Sequence, residues 1–211
     1  MPDRKVVSHC SSGRGSSDCY HFVSLRFIAV IVLVKQLKLI EFFPIHAIFF
    51  TEVMQVHPTA EKFKNAVSEK YDLDVELKEF EEGTKTAADA AEAIGCEVAQ
   101  IAKSIVMKAG DELAIVITSG VNEVDEEKLA AKMGAGPEEV GPANPDEVKE
   151  KLGWGIGGVP PFGHVNDCRT FLDPHLESFD TIWAAAGTPN AVFPIPPEKL
   201  NEVANPEQID L

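Results

Sequence analysis

Residues 153–164, GWGIGGVPPFGH, are the stretch of this sequence best suited to hold a ligand through its main chain. Five of the chain's 15 glycines lie in these 12 residues, beside two consecutive prolines. Glycine allows a ligand to approach the backbone closely, while proline fixes φ and stiffens the loop. Successive N–H groups at Gly157, Gly158 and Val159 are therefore candidates to surround a developing oxyanion.

Lys103, in the segment IAKSIVMK, is the first ionisable candidate. Lysine is disfavoured at the entrance of an apolar strand, and an ammonium group beside a cavity can bind a phosphate or polarise a carbonyl. The alternative is a lysine whose stem covers apolar surface while its amine stays in water. His164, directly after the glycine-rich loop, is either an acid–base or ligand-contact group or a surface histidine without a role.

Several common kinds of site are missing from the sequence. No G-x-G-x-x-G precedes a helix and no P-loop pattern occurs, so a dinucleotide site is not indicated. The pattern G-x-S-x-G is absent too, which argues against covalent serine catalysis. The four cysteines form no C-x-x-C and the six histidines no H-E-x-x-H, so we expect no metal, no cofactor and no disulfide framework. A reducing, cytoplasmic compartment is the default expectation.

The elements that must position these residues predict an α+β fold. Helices are predicted after Pro58, after the caps Thr86, Asp125 and Asn144, and over PPEKLNEVA. Strands are predicted at 75–80, at 103–109 and 112–120 as a hairpin, and in RTFL, TIWAAAG and AVFPI. Because the strands do not alternate cleanly with the helices, we expect a mixed sheet.

Charge divides the chain into two compositions. The first 53 residues hold six basic and four acidic side chains, which leaves 13 basic and 30 acidic ones for residues 54–211. Proteins that bind nucleic acid through phosphate attraction usually show the opposite sign, so DNA is not an expected partner. The excess of carboxylates is either an adaptation to strong brine or acidity with no special partner.

The first 53 residues contain the apolar run FIAVIVLV at 27–34. This run is too short to span a bilayer and lacks the cleavage site of a signal peptide, so a membrane partner is not favoured. We interpret residues 1–53 as a doubtful extension, either translated from upstream of a true start at Met54 or a weak membrane anchor. Residues 54–211 then form the functional domain.

Taken together, the segments IAKSIVMK, GGVPPFGH and FLDPHLESFDTIWAAAGTPNAVFPIPPEKL resemble the YbaK/EbsC family. That family is related to the editing (insertion) domain of bacterial prolyl-tRNA synthetases and includes free-standing aminoacyl-tRNA deacylases. The resemblance covers roughly residues 57–205. The family's lysine falls on Lys103, its G-x-x-x-P loop on 157–161 and its late turn on Gly187.

The resemblance implies a fold, an activity and a set of site residues. The fold would be a mixed, barrel-like sheet flanked by helices, and the activity would be hydrolysis of the ester in mischarged aminoacyl-tRNA, held by its acceptor end. Lys103, Gly157 and Gly158 would be catalytic. The residues implied to bind the substrate lie in the glycine-rich loop and the late turn: Val159, Pro160, Pro161, Gly163, His164, Gly187 and Thr188.

The sequence departs from the family at two of these places. Pro160 stands where a small or hydroxyl residue is common, and the G-x-R-G turn of many members is GTPN here, with Thr188. A catalytically idle module that carries this fold and binds a tRNA end or an aminoacyl-tRNA synthetase is therefore the alternative to an active deacylase.

Overall fold

The computed structural model describes residues 56–80 and 86–211. The helices in these ranges are α1 (Pro58–Tyr71), α2 (Ala87–Ile94), α3 (Glu126–Met133), α4 (Pro145–Leu152) and α5 (Pro197–Ala204). The strands are β1 (Lys78–Glu79), β2 (Ile101–Ala109), β3 (Glu112–Ser119), β4 (Val140–Pro142), β5 (Arg169–Leu172), β6 (Ile182–Ala185), β7 (Ala191–Ile195) and β8 (Glu207–Gln208). Three short 3₁₀ helices are Val98–Gln100, Pro137–Glu139 and Pro174–Ser178.

Local sequence signals set the helix ends. Thr86 forms the predicted capping box, in which its hydroxyl accepts from the Asp89 N–H and the Asp89 carboxylate accepts from the Thr86 N–H. Asp125 and Asn144 also accept hydrogen bonds from the first turns of α3 and α4, as predicted. Each cap satisfies an N–H group that the helix itself cannot pair, so these starts are encoded within a few residues.

All the strands in the described ranges join one mixed sheet in the order β1-β7-β6-β2-β3-β5-β8, with β4 also paired to β2. The pairs β2–β6, β3–β5 and β5–β8 are parallel, and the other pairs are antiparallel. The predicted hairpin of β2 and β3 lies at the centre of this sheet. The α+β prediction, with a mixed sheet and flanking helices, is confirmed.

The largest apolar core lies between the sheet and the elements around α1. Phe63 of α1 lies with its ring centroid 5.1 Å from that of Phe193 and 6.0 Å from those of Trp154 and Phe162. Trp154 and Phe162 belong to the glycine-rich loop, so burial of large aromatic side chains anchors both ends of that loop. Trp154 and Phe162 therefore fix the loop to the core.

Some strand boundaries differ from the sequence prediction. The strand predicted at 75–80 is paired only at Lys78–Glu79, while β2 begins two residues earlier than predicted, at Ile101. The short strands β4 and β8 were not predicted, because two or three residues carry no periodicity to detect. The extension 1–53 and the start at Met54 fall outside the described residues. None of the helices that the structure describes combines the length and the apolar character that crossing a membrane requires.

Candidate active site

A cavity of about 360 Å³ opens where β2 has a gap in its strand pairing. Along one edge β2 pairs with β3 over most of its length, but along the other it pairs with β6 only at 101–102 and with β4 only at 107–109. Residues 103–106 are left without a strand partner on that side, and all four line the cavity. The volume lies within the usual range of small-ligand sites, roughly 300–1,000 Å³.

Backbone groups of β2 point into this gap. The carbonyl of Val106 accepts from the N–H of Ala143, on the side away from β3. Because the backbone N–H and C=O of alternate residues in a strand point to the same edge, those of Ser104 face the gap as well. The site therefore carries main-chain hydrogen-bonding groups on its β2 wall.

The glycine-rich loop forms another wall through Ile156, Gly157 and Val159. Gly157 has φ of +89°, which favours glycine, and it is exposed. In the part of the chain that the structure describes, the N–H groups of Gly157 and Val159 have no hydrogen-bond partner. Because both residues line the cavity, these two groups are candidates to bind an anion or a carbonyl oxygen.

Gly158 has a different role from the one predicted. Its N–H donates to the carbonyl of Gly155 at 3.1 Å, so it is already used within the loop. A Cβ at Gly158 would lie 2.5 Å from the Cα of Thr188, closer than any side chain can approach a backbone. Gly158 is therefore the place where the loop and the late turn touch, and it lets Gly157 and Val159 reach the cavity.

The late turn completes this contact. Gly187 has φ of +88°, and a Cβ there would lie 2.9 Å from the ring of Trp154. Thr188 lines the cavity, but its hydroxyl accepts from the N–H of Asn190 at 3.1 Å and so stabilises the turn. Gly187 is thus required by packing against Trp154, whereas Thr188 is at the cavity wall.

Lys103 lines the cavity, but its amine is bound at one side of it. The Nζ atom donates to the carbonyl oxygen of Asn122 at 2.7 Å. Burial lowers the pKa of Lys103, while the nearby carboxylates of Glu123 and Asp173 act in the opposite direction. The amine is thus partly desolvated and donates to a neutral acceptor. A substrate oxygen can replace that acceptor.

Asp173 fixes the acceptor that holds Lys103. Its carboxylate is 2 % exposed and accepts from Asn122 Nδ2 at 2.8 Å, from the Ser119 N–H at 3.0 Å and from the His175 N–H at 2.9 Å. Three donors on one buried carboxylate make a rigid anchor, since hydrogen bonds to charged groups are strong. Asn122 is therefore positioned by Asp173 and in turn positions Lys103.

Two buried hydroxyl groups flank Lys103 without a hydrogen-bond partner among the described residues. They are Ser104 Oγ, next along β2, and Thr118 Oγ1, on the β3 residue paired with Lys103. A buried polar atom left unpaired costs about 1–3 kcal/mol, and native proteins keep few of them. Ser104 lines the cavity and Thr118 does not, so the Ser104 hydroxyl is the one placed to pair with a ligand there.

The remaining predicted residues lie on the side of the glycine-rich loop that faces away from the first cavity. Pro161, Gly163 and His164 line a second cavity, of about 230 Å³, and the first cavity does not include them. Pro160 is buried, and its carbonyl is 2.9 Å from His164 Nε2. Burial lowers the pKa of His164, the hydrogen bond to Pro160 acts in the opposite direction, and the charge of Lys70 adds to the lowering. A neutral His164 that donates from Nε2 to Pro160 braces the loop from behind.

No group of three or more His, Cys, Asp or Glu side chains in the described ranges has the geometry to hold a metal ion.

Comparison with known proteins identifies the family. Residues 81–203 match the family model described as the aminoacyl-tRNA editing domain. The chain belongs to this family. The match spans β2, the glycine-rich loop and the late turn, and so contains every wall of the cavity.

Relatives of the editing-domain chain include free-standing proteins and parts of larger ones. An uncharacterized protein of Bacillus subtilis, YwhH, is 34% identical over 128 residues, which is 60% of this chain and 80% of YwhH. A proline–tRNA ligase of Limosilactobacillus fermentum is 36% identical over 100 residues, which is 45% of this chain but 17% of the ligase. The crystal structure of a candidate trans-editing enzyme for prolyl-tRNA synthetase superimposes with a TM-score of 0.70 at 34% identity, covering 74% of this chain and 98% of that one.

Sequence reasoning did not find the roles of Asn122 and Asp173. The Asp173–Pro174 pair is a recognisable helix start, and Asp173 does cap the 3₁₀ helix that follows. Nothing in the sequence, however, connects that cap to a lysine 70 residues earlier. The parallel pairing of β3 with β5 places the two near each other.

Proposed function

We propose that this member of the editing-domain family hydrolyses the ester that joins a mischarged amino acid to the 3′-terminal adenosine of tRNA, acting in trans in the cytoplasm. The observation that carries the proposal is one cavity lined by Lys103 and by Gly157 and Val159, whose backbone N–H groups have no hydrogen-bond partner among the described residues. Its walls are otherwise mostly apolar, which suits a small aminoacyl group. The trans activity named for the structurally similar enzyme supports the same assignment.

In the proposed reaction, water adds to the ester carbonyl and the bond from that carbon to the ribose oxygen breaks. The carbonyl oxygen becomes an oxyanion on the way, and the N–H groups of Gly157 and Val159 stabilise it. Preformed donors of this kind are worth about 10²–10³ in rate each. Lys103 binds the terminal phosphate or the same carbonyl oxygen by leaving the carbonyl of Asn122.

The described cavity residues offer no general base for the water, which indicates that the substrate supplies one. Among the described residues that line the cavity, none is a histidine or a carboxylate, and His164 lies behind the loop. We therefore assign activation of the water to a ribose hydroxyl or to the amino acid's own polar group. The departing ribose oxygen takes up a proton. A tRNA that lacks the terminal 2′-hydroxyl tests the ribose version, because near-normal turnover on it would exclude that version.

The test is a panel of tRNAs charged with alanine, cysteine, serine, threonine or proline, incubated with the full chain in ordinary and high-salt buffer. We expect release of one amino acid and a loss of about 10²–10³-fold in rate for Lys103→Ala. Lys199→Ala is the matched control, because that amine is paired with Glu202 on α5, away from the cavity. Unchanged activity in Lys103→Ala would remove the lysine from the mechanism.

The second candidate function is an idle module that binds a tRNA end or a synthetase. One observation favours it: the Lys103 amine is already engaged by Asn122 instead of facing the loop. No release of any amino acid in either buffer, from a chain shown to be folded, would decide for this candidate.

A further inference from the structure

Trp183 forms an aromatic wall of the cavity that the proposed chemistry does not use. It lies on β6, is half-buried, and lines the cavity together with Ile101 of β2 and Ala87 of α2. Its neighbours on either side in the sheet are Ile101 and Pro194. At the loop side, Ile156 also lines the cavity and is 52 % exposed. The cavity thus has large apolar groups where a ligand enters.

The amine of Lys78 lies beside this ring. Lys78 Nζ lies 5.7 Å from the centroid of the Trp183 ring and 5.8 Å from that of Phe80, and it donates to the carbonyl of Ile94 at 3.3 Å. No carboxylate among the described residues forms an ion pair with this amine, so its positive charge is not neutralised by them. An aromatic ring beside a cation is suited to bind a nucleotide, because the ring can stack on the base and the cation can bind the 5′-phosphate.

The overall charge makes such a feature necessary. Residues 54–211 carry 30 acidic side chains against 13 basic ones, so general attraction to phosphate cannot hold an RNA. Proteins that bind single-stranded RNA ends use aromatic side chains instead, on which unstacked bases lie. Stacking is insensitive to the acidic surface, because a base has no net charge.

We infer that Trp183 and Lys78 form a nucleotide subsite in which the terminal adenine of the tRNA stacks on the Trp183 ring and its 5′-phosphate binds the Lys78 amine. This inference rests on the proposed function for the identity of the RNA. It assigns the two walls of the cavity different tasks: Trp183 holds the leaving nucleoside, and Gly157 and Val159 hold the acyl group.

The test measures binding without catalysis, using the uncharged trinucleotide CCA and an analogue whose last nucleotide lacks its base. The chain has two tryptophans, and Trp154 is 2 % exposed, so quenching of tryptophan fluorescence reports on Trp183. Anisotropy of a 5′-labelled CCA gives the affinity independently. We expect CCA to quench the fluorescence saturably and the abasic analogue to bind weakly without quenching.

Variants separate stacking from charge. Trp183→Ala is expected to weaken CCA binding by about 5- to 150-fold, the usual range for loss of one stacked base. Trp183→Phe keeps an aromatic ring and should retain most of the affinity while the quenching signal disappears. Lys78→Met should make CCA binding less sensitive to salt, because one phosphate contact is lost. Lys62→Met is the matched control, since Lys62 lies over Trp154, 5.0 Å from its ring centroid.

Equal affinity for CCA and the abasic analogue, or unchanged affinity in a folded Trp183→Ala, would overturn the subsite. The proposed function is judged separately: CCA that binds as described while no charged tRNA is deacylated would leave the subsite standing and refute the hydrolase. Deacylation with the same KM in Trp183→Ala and in the parent chain would support the hydrolase and refute the subsite.

Discussion

The two sides of the glycine-rich loop differ in what they offer to a ligand. On the front side, Gly157 and Val159 line a largely apolar cavity, and their N–H groups have no partner in the part of the chain that the structure describes. On the back side, Pro161 and His164 line a smaller cavity, and the side chain of His164 is bonded to the loop itself. One face of a short loop can thus stay open to a ligand because the other face is braced.

The largest effect is expected at the contact between the loop and the late turn. Gly158→Ala places a Cβ 2.5 Å from the Cα of Thr188, so the front wall must shift. We expect deacylation to fall by about 10²-fold, since small misplacements cost that much, and stability to fall by about 1–3 kcal/mol. Charged-tRNA turnover and urea unfolding measure the two effects.

Gly155→Ala is the control for that variant. Gly155 lies in the same loop without a positive φ, and a Cβ there meets no atom within 4 Å. Its turnover and unfolding midpoint should match those of the parent chain. A similar loss in both variants would mean that the loop needs flexibility at large and not the contact at Gly158.

Asp173→Asn tests the anchor of the front side. The carboxylate raises the pKa of Lys103, against the lowering by burial, so its removal should shift that pKa further down. The alkaline limb of the enzyme-catalysed rate, corrected for spontaneous ester hydrolysis, should then move to lower pH. We also expect a loss of about 1.5–3 kcal/mol in stability, because hydrogen bonds to a charged acceptor are replaced by neutral ones. An unmoved alkaline limb would contradict the role assigned to Asp173.

Protonation of His164 at low pH is expected to lower the stability of the folded chain. Its pKa is lowered in the folded state by burial, so the folded chain binds fewer protons there than the unfolded chain. The stabilisation is fully present above the ordinary histidine pKa, about 6.5, and is lost as the pH falls from there through the lowered folded-state value. Urea unfolding at pH 7.5 and pH 5.5 should show a larger drop for the parent chain than for His164→Gln. Equal drops would mean that folding does not lower the pKa of His164.

The smallest effect is expected at Cys168, also on the back side. Burial raises the pKa of this thiol to about 11, and its Sγ lies 3.1 Å from the carbonyl of Leu113. Since the thiolate is the reactive form, Cys168 should stay unmodified by iodoacetamide at pH 8. Mass spectrometry of the peptides checks this, and rapid labelling of Cys168 would show that the back cavity opens.

Sequence patterns predicted the local features of the site well. The capping box at Thr86, the β2–β3 hairpin and the turn that starts at Gly187 each depend on residues within a few positions of one another. Lys103 and Gly157 were both predicted to be near a ligand, and both line the cavity. The family resemblance implies that Pro161, Gly163 and His164 bind the substrate, but they line the second cavity. Adjacency along a loop does not tell which face a residue takes.

By itself, the sequence determined where the chain turns and stiffens, because glycine, proline and capping side chains act on the backbone next to them. It also set the acidic balance that excludes binding by phosphate attraction alone. Only the tertiary structure decided that the gap in pairing along β2 becomes a cavity and that Gly158 is a spacer against Thr188. It likewise decided that Lys103 is held through Asn122 by Asp173. Those features join segments tens of residues apart, and strand pairing and packing, which bring such segments together, leave no short-range pattern in the chain.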